Sequence, residues 1–195
     1  MKETLRVIPE NWLGPLELDR MWPDSTAPLR VDLGFGMGRF LLNHAARHPE
    51  CRILGIEHKL RRVRKMDGKL VRAGLRHVRL LRVEGYYATR HLLPPASVDV
   101  FFIYFPDPWP KKRHHGNRIF SPDFVDALHR VVKADGVVHF ATDHGPYADE
   151  VIALVAGDAR FAPREIYEPT DEERSDFELK WMHERPTRRY SFGPA

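Results

Sequence analysis

Apolar and polar positions along the chain predict an alternation of strands and helices. The predicted strands are residues 29–33, 52–57, 77–83, 98–105 and 136–142, with two later candidates at 160–167 and 186–192. The predicted helices are residues 39–47, 59–73 and 147–156, and one that opens at Ser121-Pro122-Asp123 and ends near Gly136. This alternation predicts an α/β fold, a doubly wound, Rossmann-like, mostly parallel sheet with helices on both faces.

Two regions of the pattern refine this picture. The run VDVFFIYF, residues 98–105, is almost continuously aromatic or β-branched, which is typical of a central strand buried on both faces. Residues 1–28 mix Pro, Trp and acids without a period, which predicts an irregular N-terminal arm. We therefore expect the arm at 1–28 and a single domain at 29–195.

Composition narrows the class of protein. The 195 residues are 43% hydrophobic and 30% charged, as in a globular domain with a real core rather than a disordered or fibrous chain. The single cysteine, Cys51, and the lack of an apolar leader-like stretch predict a cytoplasmic protein. The longest apolar run, 100–105, is far short of the ~20 residues of a membrane helix, so no membrane is expected. The sequence is compatible with either a monomer or a homodimer.

Charge is distributed unevenly along the chain. The net charge is +4, but residues 52–82 carry eleven Lys and Arg against two acids, whereas 168–178 carry six acids and one Arg. A second basic cluster, Lys111-Lys112-Arg113, lies beyond the first. One strongly positive face predicts a polyanionic partner.

A glycine-rich turn follows the first predicted strand, in the segment Asp32-Leu-Gly34-Phe-Gly36-Met-Gly38. Glycines there permit a tight turn and leave room for a nucleotide-like ligand at a helix N-terminus. Glu57 ends the second strand, where a carboxylate can accept hydrogen bonds from both ribose hydroxyls. Together these residues predict a nucleotide-like cofactor.

Two more acids follow later strands. Glu84 ends the third strand, where it is either a solvated loop acid or an acceptor for an adenine amino group. After the fourth strand comes FPDPWPKKRH, in which prolines flank Asp107 and Trp109 offers an aromatic plane. This loop predicts a pre-organised carboxylate beside cations that can bind phosphate.

Five motifs resemble, in this order, those of the bacterial tRNA (guanine-N7)-methyltransferases, the TrmB family. They are GFGMG, GIE, FPDPWPKKRH, ATD (141–143) and SDFE (175–178), and the likeness covers roughly residues 29–192. The resemblance implies a class I methyltransferase that uses S-adenosyl-L-methionine and releases S-adenosyl-L-homocysteine. It also implies tRNA as partner, with methylation at N7 of guanine 46 in the variable loop.

The resemblance also assigns residues, motif by motif. The cofactor or reaction-centre positions are Asp32, Gly34, Gly36, Gly38, Glu57, Glu84 and Asp107, the last as the catalytic candidate. The tRNA or guanine positions are Lys111, Arg113, Asp143, Ser175 and Glu178. Ser175 stands where the family has Thr.

Geometry predicts a wider tRNA footprint. A basic helix follows the second strand and a basic run follows the fourth, so both begin at the ligand edge of a doubly wound sheet. The predicted footprint comprises Arg61, Arg62, Lys65, Lys111, Lys112 and Arg113.

No metal is predicted. His44 and His48 have the i,i+4 spacing of zinc ligands, but a third ligand is not evident, so we expect both on a helix surface. Two alternative functions stay open: methylation of an exocyclic amine of a nucleic-acid base, and a non-catalytic RNA-binding module on the same scaffold.

Overall fold

A computed structural model describes residues 3–195 of the chain. Its strands are β1 (Arg6–Val7), β2 (Leu29–Leu33), β3 (Arg52–Ile56), β4 (Val78–Leu81), β5 (Val98–Tyr104), β6 (Val132–Thr142), β7 (Phe161–Pro163) and β8 (Arg188–Pro194). Its α-helices are α1 (Leu18–Met21), α2 (Arg39–Arg47), α3 (Leu60–Arg72), α4 (Gly85–Tyr87), α5 (Pro122–Val131), α6 (Gly145–Ala156) and α7 (Asp176–Trp181). A π-helical turn at Ala88–Leu92 and a 3-10 turn at Lys112–Asn117 complete the helical segments of the described chain.

The strands of residues 3–195 form one sheet in the order β1-β4-β3-β2-β5-β6-β8-β7. The pairs among β1 to β6 are parallel, and β8 runs antiparallel to both β6 and β7. The chain moves outward from β2 to β3 and β4 on one side and returns to β5 and β6 on the other. The predicted mostly parallel, doubly wound sheet is therefore confirmed, β5 lies in its middle, and ligands are expected where the strand order reverses, beside β2 and β5.

The two faces of the sheet differ in chemistry because neighbouring residues on a strand point to opposite sides. Across β2, β5, β6 and β8, one row in register is Val31, Phe101, Val138 and Phe192. The next row is Asp32, Phe102, His139 and Ser191. The first row is fully buried in the main apolar core. The second row is largely polar and lies on the face that carries α2.

The fourth predicted helix begins as expected but ends earlier. Ser121 caps α5, and its Oγ accepts a hydrogen bond from the Phe124 N–H at 3.2 Å. The prediction that this helix reaches Gly136 is wrong, because α5 ends at Val131 and β6 starts at once. A Cβ on Gly136 would lie 2.9 Å from the Val98 carbonyl oxygen, so this glycine permits close strand pairing rather than ending a helix.

Residues 3–28 pack against the sheet edge and contain two short elements, β1 and α1. Arg6 and Val7 pair with β4, and the Leu5 N–H donates to Asp67 Oδ1 at 2.7 Å. The buried Trp22 donates from Nε1 to the His77 carbonyl at 2.8 Å. Within the described residues, no helix combines the length and the apolar character that crossing a membrane requires.

Candidate active site

Two adjoining cavities open at the carboxyl edge of the parallel strands. The larger cavity, of about 880 Å³, lies between the glycine loop after β2, the loop after β5 and α7. The smaller cavity, of about 380 Å³, lies at the ends of β3 and β4. The residues that line both are Gly34, Arg62, Tyr104, Phe105, Pro106 and Asp107. Asp107 therefore stands at the junction of the two cavities.

The three glycines of the loop serve different purposes. All have positive φ angles, +76° at Gly34, +60° at Gly36 and +79° at Gly38, so a side chain would strain each of them. A Cβ on Gly34 would meet nothing within 4 Å, which leaves space for a ligand against the backbone. A Cβ on Gly38 would lie 1.9 Å from Met66 Cε, so this glycine is also needed for packing against α3.

Asp32 is buried at the floor of the larger cavity. Its Oδ2 and the hydroxyl of Tyr104 have no hydrogen-bond partner among residues 3–195. Burial, and secondly the charge of Glu57, raise the pKa of Asp32 to about 8 from its ordinary value of 3.8. A cationic group in the cavity would offset this cost and return the side chain to its ionised form.

Glu57 accepts hydrogen bonds from its own loop, from the glycine loop and from α3. Its Oε1 accepts from the Lys59 N–H at 2.9 Å, and its Oε2 accepts from the Gly36 N–H at 3.2 Å. Arg62 donates to Oε2 at 3.0 Å from the first turn of α3. Arg62 is therefore part of the wall of both cavities, unlike Arg61 and Lys65, which are exposed.

Glu84 lines the smaller cavity as the N-cap of α4. Its two carboxylate oxygens accept hydrogen bonds from the N–H groups of Tyr86 and Tyr87, both at 2.8 Å. The side chain is exposed, yet it is fixed in direction by these two bonds. Glu84 is thus a fixed carboxylate in the lining of the smaller cavity.

Asp107 lies in a strained loop held from one side. Phe105 and Trp109, two residues before and after it, have φ angles of +51° and +41°, which non-glycine residues rarely adopt. The buried Arg118 donates to the Pro108 carbonyl at 2.7 Å and to the Trp109 carbonyl at 3.4 Å. The Asp107 carboxylate is exposed and makes no hydrogen bond or ion pair with any of residues 3–195.

Arg118 in turn is anchored to α6. It forms an ion pair with Glu150 and lies over the ring of Tyr147, 4.9 Å from the ring centroid. These contacts fix the guanidinium, so that its remaining N–H groups hold the strained loop in place.

Asp143 follows β6 and reaches the larger cavity. It is paired with Arg185, whose Nη1 lies 3.2 Å from Asp143 Oδ2. The Arg185 side chain is 52% exposed, and its guanidinium also lies over Trp181, 4.7 Å from the ring centroid. The Asp143 side chain is only 12% exposed, so Arg185 is the partner of this pair that can turn away into solvent and be replaced.

Ser175 and Glu178 lie at the start of α7, and of the two only Ser175 lines a cavity. Ser175 is the N-cap, and its Oγ accepts from the Glu178 N–H at 3.0 Å. The Glu178 carboxylate is buried and pairs with Arg174 at 3.1 Å and with Arg189. Glu178 Oε2 has no partner among residues 3–195. Glu178 therefore lies outside both cavities, and its predicted contact with the substrate stays a prediction.

The predicted phosphate-binding cations lie on the surface beside the loop. Lys111, Lys112 and Arg113 are all exposed, and none of them forms an ion pair within the described chain. They begin four residues after Asp107, in the same loop that carries this carboxylate.

The histidines of α2 do not both lie on the surface, so that prediction is wrong for His44. His44 is buried, and its Nδ1 lies 2.9 Å from Glu173 Oε1, a third polar ligand that the sequence did not indicate. The ligand atoms of His44, His48 and Glu173 lie within 4.8 Å of one another. Arg30 Nη1 lies 2.9 Å from His44 Nε2.

The hydrogen bonds around His44 decide how this cluster is protonated. A guanidinium only donates, so His44 Nε2 accepts from Arg30 and the proton on Nδ1 is donated to Glu173. Burial lowers the pKa of His44. Burial alone would raise the pKa of Glu173, but the hydrogen bonds from His44 and Tyr167 outweigh it and lower the pKa of that carboxyl. The arrangement is a buried hydrogen-bonded chain, in which His44 presents no lone pair to a metal.

Comparison with known proteins identifies the family. Residues 26–187 match the family described as "Putative methyltransferase". A tRNA (guanine-N(7)-)-methyltransferase of Leifsonia xyli subsp. xyli is 40% identical over 160 residues, which are 77% of this chain and 70% of that protein. The chain belongs to the bacterial tRNA (guanine-N7)-methyltransferase family. The resemblance drawn from the five motifs is thereby confirmed.

A second relative and a solved structure add to this assignment. The tRNA (guanine-N(7)-)-methyltransferase of Thermotoga maritima is 41% identical over 152 residues, 75% of this chain and 49% of that protein. The chain thus spans 70% of the length of the first relative and 49% of the second. The 16S rRNA methyltransferase KamB superposes with a TM-score of 0.69 at 15% identity, covering 99% of this chain and 100% of KamB. The likeness to KamB shows the shared fold.

Sequence reasoning missed several features of this site. Arg118 stands at the end of a basic run, and no local pattern separates it from the exposed cations before it. The sequence predicts Arg62 only as a tRNA contact, and its place among the other arginines of α3 gives no signal for its bond to Glu57. Tyr104 was assigned to a buried strand, where an unpartnered hydroxyl leaves no sequence signal.

Proposed function

We propose that this protein transfers a methyl group from S-adenosyl-L-methionine to N7 of a guanine in tRNA, at position 46 of the variable loop. The observation that carries the proposal is Asp107, an exposed and unpaired carboxylate at the junction of two cavities. Its loop is strained and held by Arg118, and exposed cations begin four residues further along the chain. Strain kept at a site by surrounding contacts is typical of function.

The residues around both cavities fit the proposed cofactor. The unpartnered Asp32 Oδ2 suits the cationic α-amino group, because that charge offsets the cost of a buried carboxylate. Glu57 and Glu84 suit the ribose hydroxyls and the adenine amino group. The open space beside Gly34 lets a ligand approach the backbone. When bound, S-adenosyl-L-methionine supplies an electrophilic methyl group.

The target atom determines what the protein has to do. Guanine N7 has a free lone pair and no proton, so no residue is needed as a base to generate the nucleophile. The contribution of the protein is positioning, together with stabilisation of the positive charge that develops on the ring. Asp107 does this by accepting hydrogen bonds from guanine N1–H or the exocyclic amine, which strengthen as the ring becomes cationic.

Asp143 can join Asp107 once its present partner is displaced. Guanine N–H groups can replace Arg185 on the Asp143 carboxylate, since the Arg185 side chain is half exposed. The freed guanidinium then remains near the entrance, where a tRNA phosphate can bind it.

The exposed cations hold the tRNA while the base enters an acidic cavity. Lys111, Lys112 and Arg113 supply charge after β5, and Arg61 and Lys65 supply it at the start of α3. Phosphate contacts of this kind position the nucleic acid without reading its sequence. Selection of the base is left to the carboxylates inside.

The decisive experiment is to incubate the protein with unmodified tRNA and methyl-labelled S-adenosyl-L-methionine, then cleave selectively at 7-methylguanine. The expected result is label in the nucleoside 7-methylguanosine and a single cleavage at position 46. Label in an N-methylated exocyclic amine would instead support the alternative base methyltransferase. A protein that binds tRNA but not S-adenosyl-L-methionine in a titration would be the RNA-binding module.

A further inference from the structure

Six aromatic side chains line the larger cavity: Phe35, Phe40, Tyr104, Phe105, Phe177 and Trp181. Most of them are already covered by protein. The ring of Phe40, for example, packs edge-on against Phe102 and Tyr104, each at a centroid distance of 4.9 Å. Phe177 differs, because its side chain is 40% exposed while it faces the cavity.

Trp181 is the other aromatic residue of α7, but two cations already lie over its ring. Lys180 Nζ and the Arg185 guanidinium each lie 4.7 Å from the centroid of its ring. Phe177 has one aromatic neighbour, Phe105, at a centroid distance of 5.1 Å. Of the two rings on α7, Phe177 therefore offers the freer aromatic face.

The position of Phe177 relates it to the reacting centre. Its neighbour Phe105 lies two residues before Asp107 in the strained loop, and both Phe105 and Asp107 line the same cavity. Met37 of the glycine loop, 49% exposed, adds a second apolar surface to this cavity. Exposed apolar side chains gathered at the mouth of a cavity indicate a ligand with an apolar face.

A nucleobase has such a face, and an enzyme that takes a base out of folded RNA has to replace the stacking that the base loses. We propose that Phe177 stacks on the purine ring that enters the larger cavity, beside Asp107. The inference rests on the proposed function, which supplies the nucleobase. Two nearby cations, Lys180 on α7 and Arg185 shortly after its end, match the phosphates that accompany that base.

The test compares three variants of the whole chain with the parent. Phe177→Leu keeps an apolar side chain but removes the aromatic face, and Phe177→Tyr keeps the face. Leu179→Ala is the matched control, since Leu179 is 36% exposed on the same helix and lies outside both cavities. The measurements are KM and kcat for tRNA, the affinity for S-adenosyl-L-methionine, and tRNA affinity at several salt concentrations.

In Phe177→Leu, the KM for tRNA is expected to rise roughly 5- to 150-fold, the range that loss of one base–aromatic stack allows. The affinity for S-adenosyl-L-methionine stays that of the parent, and so does the slope of log affinity against log salt, because no charge is removed. Phe177→Tyr restores KM, and Leu179→Ala changes nothing.

Two results would overturn the inference. One is a parent-like KM in Phe177→Leu. The other is an equal loss of tRNA and cofactor affinity, which would mean that Phe177 only packs α7 against Phe105. If the proposed function itself is wrong, the parent protein makes no 7-methylguanine. In that case the tRNA affinities of the parent and Phe177→Leu, measured without turnover, still show whether Phe177 contacts the RNA.

Discussion

In the smaller cavity the carboxylates of Glu57 and Glu84 are both held by backbone N–H groups, those of Gly36, Lys59, Tyr86 and Tyr87. In the larger cavity Asp107 has no partner within residues 3–195, and Asp143 is held by a half-exposed arginine side chain. A backbone N–H cannot turn away from its acceptor, whereas a surface guanidinium can leave. The acids of the smaller cavity are therefore fixed by the backbone, whereas in the proposed reaction those of the larger cavity exchange their partners when the substrate enters.

The largest expected effect is that of Asp107→Asn in the larger cavity. Asn keeps the shape and one acceptor oxygen but loses the charge that stabilises the developing guanine cation. We expect the single-turnover rate of methyl transfer to fall about 100- to 1,000-fold, as for loss of one preorganised electrostatic group. Affinities for tRNA and S-adenosyl-L-methionine should stay those of the parent. Asp135→Asn, at an exposed aspartate on β6, is the control, and an equal loss of rate and tRNA affinity in Asp107→Asn would indicate a binding role.

Glu57→Ala tests the smaller cavity. It removes the acceptor of two backbone N–H groups and of Arg62, together with the proposed ribose contact. Calorimetry should show S-adenosyl-L-methionine binding weakened about 10- to 150-fold, the value of a lost charge-assisted hydrogen bond. Glu50→Ala, at an exposed position outside both cavities, serves as control. Unchanged affinity in Glu57→Ala would remove Glu57 from the cofactor site.

Arg118→Lys tests whether the strained loop needs its anchor. Lysine keeps the charge, but it cannot bond Glu150 and two carbonyls together as the guanidinium does. We expect a loss of about tenfold in single-turnover rate and about 1–3 kcal/mol in the free energy of unfolding. Arg113→Lys, at an exposed neighbour, should change neither quantity. A parent-like rate in Arg118→Lys would show that the loop keeps its geometry unaided.

Asp32→Asn tests the buried acid of the larger cavity through pH. The pKa of Asp32 is about 8 in the folded protein against an ordinary 3.8, so its contribution to stability is full below pH 3.8 and is lost as the pH rises through 8. Between pH 6 and 8 the parent should therefore lose about 2 kcal/mol of stability relative to Asp32→Asn. Denaturant unfolding at both pH values measures this difference, and parallel curves would mean that Asp32 is ionised at pH 6.

Asp32→Asn also tests the proposed contact between Asp32 and the α-amino group of the cofactor. S-Adenosyl-L-methionine should bind Asp32→Asn more weakly than the parent, because the amide cannot neutralise the α-amino group. Binding of equal strength would place that amino group elsewhere.

The smallest expected effects are those of Lys111→Ala and Arg113→Ala on the surface beside the larger cavity. Each should lower the slope of log tRNA affinity against log salt by about one unit, the mark of one lost phosphate contact. Binding of S-adenosyl-L-methionine should be unaffected. Parent-like tRNA binding at every salt concentration would place the footprint elsewhere.

Much of the fold follows from local patterns in the sequence. Apolar runs predict the central strands, and Ser121-Pro122 predicts the start of α5. Both signals are local, because strand periodicity and helix caps depend on only a few neighbouring residues. The strand ends then located Asp32, Glu57 and Asp107 at one edge, since parallel strands end together. The end of α5 was missed because Gly136 is required by pairing with β5, a contact distant in sequence.

The site was predicted less completely than the fold. The sequence by itself placed the glycine loop, Asp107 and the basic run at the ligand edge. Only the tertiary structure showed that His44 meets Glu173, 129 residues away, and that Glu178 is buried with Arg189 instead of lining a cavity. These partners depend on strand register and on the packing of α2 and α7, which bring distant residues within hydrogen-bonding distance. No single segment of the sequence contains both partners of such a contact, so only the tertiary structure decides which residues pair.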